Sequence, residues 1–180
     1  MWEFLIIVVI IAVAVSGYNA LVKLRETSES AWADIDVQLK RRHDLIPNLV
    51  ETVKGYASHE SETLEAVIQA RNMAMGAQGP AEQAEAETML SGALKSIFAL
   101  SEAYPDLKAA EGFRDLQATL SEIEEQVAQA RRYYNAVVRD YNTKTQTFPS
   151  VFIAKVFNFG QREFFEVAEA EKAVPKVSFD

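Results

Sequence analysis

The chain has two imidazoles, His43 and His59, and no cysteine. Metal chemistry in a helical protein draws on Glu-x-x-His pairs that project from neighbouring helices. The residue three before His43 is Lys40, and the one three before His59 is Tyr56. His59-Glu60 does not open an H-E-x-x-H motif, because position 63 is Thr63. His59 and Glu62 could share a helix face, but two ligands do not complete a zinc site. A nucleophile elbow needs G-x-S-x-G and a phosphate-cradling loop needs G-x-x-x-x-G-K-[ST]; neither is present. The expectation is a chain that is not an enzyme, with no catalytic residue, no metal and no cofactor.

Polar groups are densest between Ser28 and Glu60, where Asp34, Asp36, Gln38, Arg41, Arg42, Asp44, Asn48 and Glu51 surround an apolar stripe. Arg42 falls on the stripe itself, between Leu39 and Ile46. A buried guanidinium requires a carboxylate partner, and Glu124 or Glu125 is the expected one. Arg42, Glu51, Arg71, Glu124 and Arg131 are therefore the candidate members of a structural ion-pair network that fixes helix register. The functional alternative is a polar groove for a partner peptide.

The elements that must position these groups are helices. Ala, Glu, Leu, Gln, Lys and Arg dominate, and clean period-2 alternation is missing. A first helix runs to about Lys54, with Leu21, Leu24, Ala31, Ile35, Leu39, Ile46, Leu49 and Val53 as its stripe. Pro47 lies inside it and removes one backbone donor, which predicts a kink. Gly55 is a natural stop. Ser58 is the expected N-cap of a second helix that ends at Gly76. Gly79-Pro80 marks a turn. A third helix runs from about Ala81 to Ala103, before the break at Tyr104-Pro105. The fourth carries Phe113, Leu116, Leu120, Ile123, Val127, Ala130, Tyr134, Val137 and Tyr141, a stripe of alternating threes and fours. Core packing accounts for such a stripe; an exposed coiled-coil seam is the alternative. Together these predict an all-α fold, an elongated antiparallel four-helix up-and-down bundle over residues 23–149.

Residues 1–22 read differently. Phe4 to Val15 is unbroken apolar sequence, and Ala20-Leu21-Val22 resumes it after Tyr18 and Asn19. Phe4 to Val22 would rise roughly 28 Å as a helix, close to the thickness of a bilayer core. Trp2 and Tyr18 bracket it as interfacial aromatics. A cleaved signal peptide would begin with basic residues, but here Glu3 precedes the run and no Lys or Arg does. Lys23 and Arg25 follow the span, so the positive-inside rule predicts an outside N-terminus and a cytoplasmic bundle. The net charge of −8, from 18 basic and 26 acidic residues, argues against nucleic acid as a partner. The tail, residues 150–180, is rich in Phe. Phe152, Phe157, Phe159, Phe164 and Phe165 there need cover, from the bundle, from lipid or from another protomer.

The segment WADIDVQLKRRHDLIPNLVETVKGYASHE, from Trp32 to Glu60, closely resembles the core signature of the LemA family of bacterial membrane proteins. The likeness continues through YNALVKLRE at 18–26, EAVIQARN at 65–72, EAYPDLKA at 102–109, the stretch from Phe113 to Asn142, Phe148-Pro149 and the later REFFE. The resemblance implies one N-terminal membrane helix followed by a long helical bundle. It also implies a bacterial inner-membrane setting linked to membrane-protease or envelope maintenance, with no known catalytic activity to carry over. The resulting expectation is a single-pass, non-catalytic scaffold or adaptor that self-associates, with the lipid bilayer and a membrane protein as partners. A membrane-surface or lipid sensor built on the Phe-rich tail is the alternative.

Overall fold

The computed structural model describes residues 1–166. Six helices account for all the regular structure among them: α1 (Trp2–Lys54), α2 (Ser61–Gly76), α3 (Gly79–Ser101), α4 (Pro105–Ala109), α5 (Glu111–Gln146) and α6 (Ser150–Val156). The fold is all-α. Two short helices, α4 and α6, add to the four expected from the breakers. Phe179 and the end of the expected tail lie outside the described residues.

Helix α1 runs on through Pro47 without interruption. Its predicted stripe is buried at Leu21, Ala31, Ile35, Leu39, Ile46, Leu49 and Val53, and half-buried at Leu24. The apolar run from Phe4 to Val15 is exposed throughout. Helix α1 is, near its N-terminus, long and apolar enough to cross a membrane.

Two helix starts differ from the sequence expectation. Ser58 is not the cap of α2; Glu60 holds that position and makes no side-chain cap bond. Residues 55–60 instead form turns closed by Ala57 N–H to the Val53 carbonyl at 2.8 Å and Glu60 N–H to the Ala57 carbonyl at 3.2 Å, with Ala57 buried. The Gly79-Pro80 pair opens α3 rather than preceding it. Proline suits the first turn because its missing N–H would have no partner there anyway. Gly79 has φ 81°, a left-handed backbone that glycine adopts at little cost.

The described residues divide into two compact units. One comprises Met1–Asp36 with Ala128–Phe164; the other comprises Val37–Val127 with the residues from Phe165. In the second unit, Ile46, Leu49, Val53, Val67, Leu90 and Ile97 are among the buried residues of one apolar cluster, which α4 joins through Leu107 and α5 through Phe113. In the first unit, Leu21, Tyr141, Ile153, Ala154 and Phe159 form a smaller core. Asn158 closes α6 with φ 57°, a conformation asparagine tolerates, and Phe159 N–H bonds back to the Ala154 carbonyl at 2.8 Å.

A buried ion-pair cluster and a clamped aromatic segment

The second unit holds the densest polar site. Arg42 sits on the buried face of α1 at 3% exposure. Its Nη1 donates to Glu87 Oε2 at 2.9 Å; its Nη2 donates to Glu124 Oε2 and to Ser91 Oγ, each at 2.8 Å. His43 is buried beside it, with Nε2 2.6 Å from Glu87 Oε1. A carboxylate oxygen only accepts, so the ring donates. Gln83 Nε2 donates to the same oxygen at 3.0 Å and to the Ala74 carbonyl at 3.0 Å. Arg71 Nε closes the far side on the His43 carbonyl at 2.8 Å. One carboxylate, Glu87, thus takes bonds from two side chains of α1 and one of its own helix α3.

This arrangement joins helices. Glu87 is itself buried, so its attraction to Arg42 acts in a medium of low dielectric. Both partners lost hydration in getting there, and removal of either strands the other. The Glu124 carboxylate keeps 57% of its side chain in water, so that bridge is the weaker one. The only buried side-chain atom without a hydrogen-bond partner among the described residues is Arg42 Nε. No group of three His, Asp or Glu converges to hold a metal among them either. The His43 ring bonds to Glu87, and its backbone carbonyl accepts from Arg71.

Of the residues expected in the network, Arg42, Glu124 and Arg71 meet here. Glu51 is exposed on α1 and Arg131 half-buried on α5; neither joins the cluster. Glu51 is nine residues from Arg42, which is half a rotation around a helix of 3.6 residues per turn. Arg131 is seven residues beyond Glu124, about 10 Å along α5. Glu87, His43, Ser91 and Gln83 were not foreseen as members. A signal existed for Glu87: Gln83, Glu87, Leu90, Leu94 and Ile97 share one stripe on α3, and an acid on an apolar stripe calls for a cation as surely as Arg42 calls for an acid.

The first unit carries the aromatic residues. Trp2 is exposed at the start of α1. Tyr18 packs edge-on against Phe157, with centroids 4.8 Å apart, and against Phe159 at 5.7 Å. Phe159 is buried, and the Arg25 guanidinium lies over its ring at 5.5 Å. Phe152 is exposed and meets Phe148. Phe164 is half-buried in this unit; Phe165, which belongs to the second, is buried. Polar bonds fasten the segment after α6. Asn142 Nδ2 donates to the Arg162 carbonyl and Asn142 Oδ1 accepts from Arg162 N–H, both at 2.9 Å. Tyr134 donates its hydroxyl to the Glu163 carbonyl at 2.9 Å, and Arg162 pairs with Glu29.

Three phenols are pushed above their ordinary value of 10.0. Burial is the main cause for Tyr134 and Tyr141, offset in part by the Arg162 charge. For Tyr104 the main cause is its hydrogen bond to Glu60. A raised phenol holds its proton more tightly in the folded chain than in the unfolded one. Its stabilisation is fully present below pH 10.0 and is lost as pH rises through the folded value. An alkaline titration followed by phenolate absorbance should show these three ionising late, with stability falling over the same interval. Tyr134→Phe and Tyr141→Phe should each remove part of the late absorbance change; retention of all of it would refute the assignment.

An all-helical chain with one membrane-length apolar helix and a structural ion-pair cluster defines a class of membrane-associated helical proteins. The LemA family profile matches residues 31–179, and the chain belongs to the LemA family. It is 27% identical to Protein LemA of Metamycoplasma hominis, over 89% of this chain and 74% of that one. It is 24% identical to magnetosome protein MamQ 2 of Paramagnetospirillum magneticum, over 89% of this chain and 68% of the relative. Magnetosome protein MamQ of Magnetospirillum gryphiswaldense is also 24% identical, over 88% and 68%.

Proposed function

We propose that this protein is a non-catalytic scaffold or adaptor of the bacterial inner membrane, held by a single span, with the N-terminus outside. In this reading it self-associates and serves membrane-protease or envelope maintenance. The observation that carries it is α1: one helix holds both the exposed apolar run and, further along, the buried Arg42 that ties it to α3 and α5. The polar groups of the cluster are spent on holding helices together, which suits a contact surface more than a reaction centre. Confinement in a bilayer raises effective concentration, so weak contacts between copies suffice for assembly. The names of the family and the relatives describe no reaction.

Full-length protein extracted in mild detergent is expected to sediment as a multimer. In intact cells, Trp2→Cys should react with a maleimide that cannot cross the inner membrane. Strictly monomeric behaviour at every concentration removes the scaffold, and labelling only after lysis reverses the orientation.

A further inference from the structure

We propose that α6 is a second membrane contact: its Phe148–Phe152–Val156–Phe157 edge lies in the interface of the same anionic bilayer that receives the apolar run of α1. This rests on the span proposed above and adds to it a surface and its lipid class. The four side chains are 58–81% exposed, although α6 is otherwise well packed, with Ser150, Ile153 and Ala154 buried. Phe152 and Val156 are four residues apart on α6 and share one side of it, with Phe148 just ahead of the helix. The Phe148 and Phe152 rings meet edge to face at 6.0 Å, forming one apolar ridge. A ridge of this kind is unfavourable in water.

Its place in the unit says what covers it. A Cβ at Gly17 would collide with Ile153 Cδ1, so α6 presses on α1 at the turn directly after the apolar run. Phe157 seats against Tyr18 on the same turn. At its other end, Pro149 and Ser150 share an open groove of about 420 Å³ with Val9, Ala12 and Val13 of the run itself. The ridge is thus continuous with the exposed apolar surface of the proposed span and, through Phe157, reaches Tyr18, the aromatic expected at the bilayer interface.

Charge matches as well. Residues 143–162 contain Lys144, Lys155 and Arg162 and no Asp or Glu, in a chain of net charge −8. Arg162 is engaged by Glu29, but Lys155 is exposed and Lys144 lines the groove beside the span. Both ammonium groups can reach phosphate while their stems follow apolar surface.

The chain has no cysteine, so single thiols can be placed cleanly. Full-length Phe152→Cys, Val156→Cys and Ile10→Cys variants would carry a bimane label in vesicles of phosphatidylcholine and phosphatidylglycerol. The expected result is quenching at all three sites by brominated acyl chains, deepest at 10, with little quenching by aqueous iodide. Quenching at 152 and 156 should weaken when phosphatidylglycerol is omitted or when Lys144 and Lys155 are both changed to Glu. Iodide quenching at 152 and 156, with lipid quenching kept at 10, overturns the α6 contact and leaves the span standing. Protection from both quenchers at 152 and 156 means a protein surface covers the ridge, and also overturns it. Loss of lipid quenching at 10 as well removes the span and this inference together. Insensitivity to phosphatidylglycerol overturns the anionic preference.

Discussion

Glu87→Ala is expected to be among the most damaging single substitutions in the chain, lowering stability by about 3–5 kcal/mol. The alanine removes the acceptor for Arg42 Nη1, His43 Nε2 and Gln83 Nε2 at once, all at buried or nearly buried atoms. Glu124 remains for Arg42, but on the watery side. Glu87→Gln keeps an acceptor without the charge, and should lose less, about 1–3 kcal/mol. Changing Arg42 and Glu87 together to methionine removes both charges. The pair should then cost less than the sum of the two single changes, because neither partner is stranded. Urea unfolding in detergent, followed by far-ultraviolet circular dichroism, gives the values for these variants and for the two single methionine changes. A loss under about 1 kcal/mol for Glu87→Ala, or strict additivity in the pair, would show that the cluster does not hold the helices.

Phe113→Ala tests the apolar half of the same unit. Phe113 is 1% exposed, enters the cluster from the first turns of α5, and meets Phe98 at 6.3 Å between centroids. Its removal should cost about 3–5 kcal/mol, from lost transfer energy and the cavity left behind. Phe148→Ala is the contrast: the residue type is identical but 81% exposed, and the change should stay within about 0.5 kcal/mol in detergent. Equal losses at the two positions would contradict the burial seen here.

Much of the fold was legible because a helix repeats its environment every three or four residues. The α5 stripe from Phe113 to Tyr141 is buried at seven of its nine positions and half-buried at Leu116 and Ala130. The same periodicity located Arg42 on a buried face. What periodicity could not supply was the partner across space. Glu87 and Glu124 sit 45 and 82 residues away, and only the packing of α1 against α3 and α5 brings them together. Local boundaries were harder for another reason. Ser58 has the chemistry of a cap, but Ala57 is drawn into the core and the turn delays the helix to Ser61. The stretch after Pro149 carried no long periodic pattern. Its seven-residue helix exists because Ile153 and Ala154 find cover on α1 and α5, which no local window of sequence reports.

The pairing of Asn142 with the Arg162 peptide is chemically selective. One terminal group must donate a hydrogen bond to the Arg162 carbonyl and accept one from the Arg162 N–H, which is the job a neighbouring strand does in a sheet. A primary amide meets both demands; a carboxylate of the same shape meets only the second and faces the carbonyl with like polarity. Slow hydrolysis of that amide, the familiar ageing reaction of asparagine, would therefore convert a fastener into a latch that no longer closes.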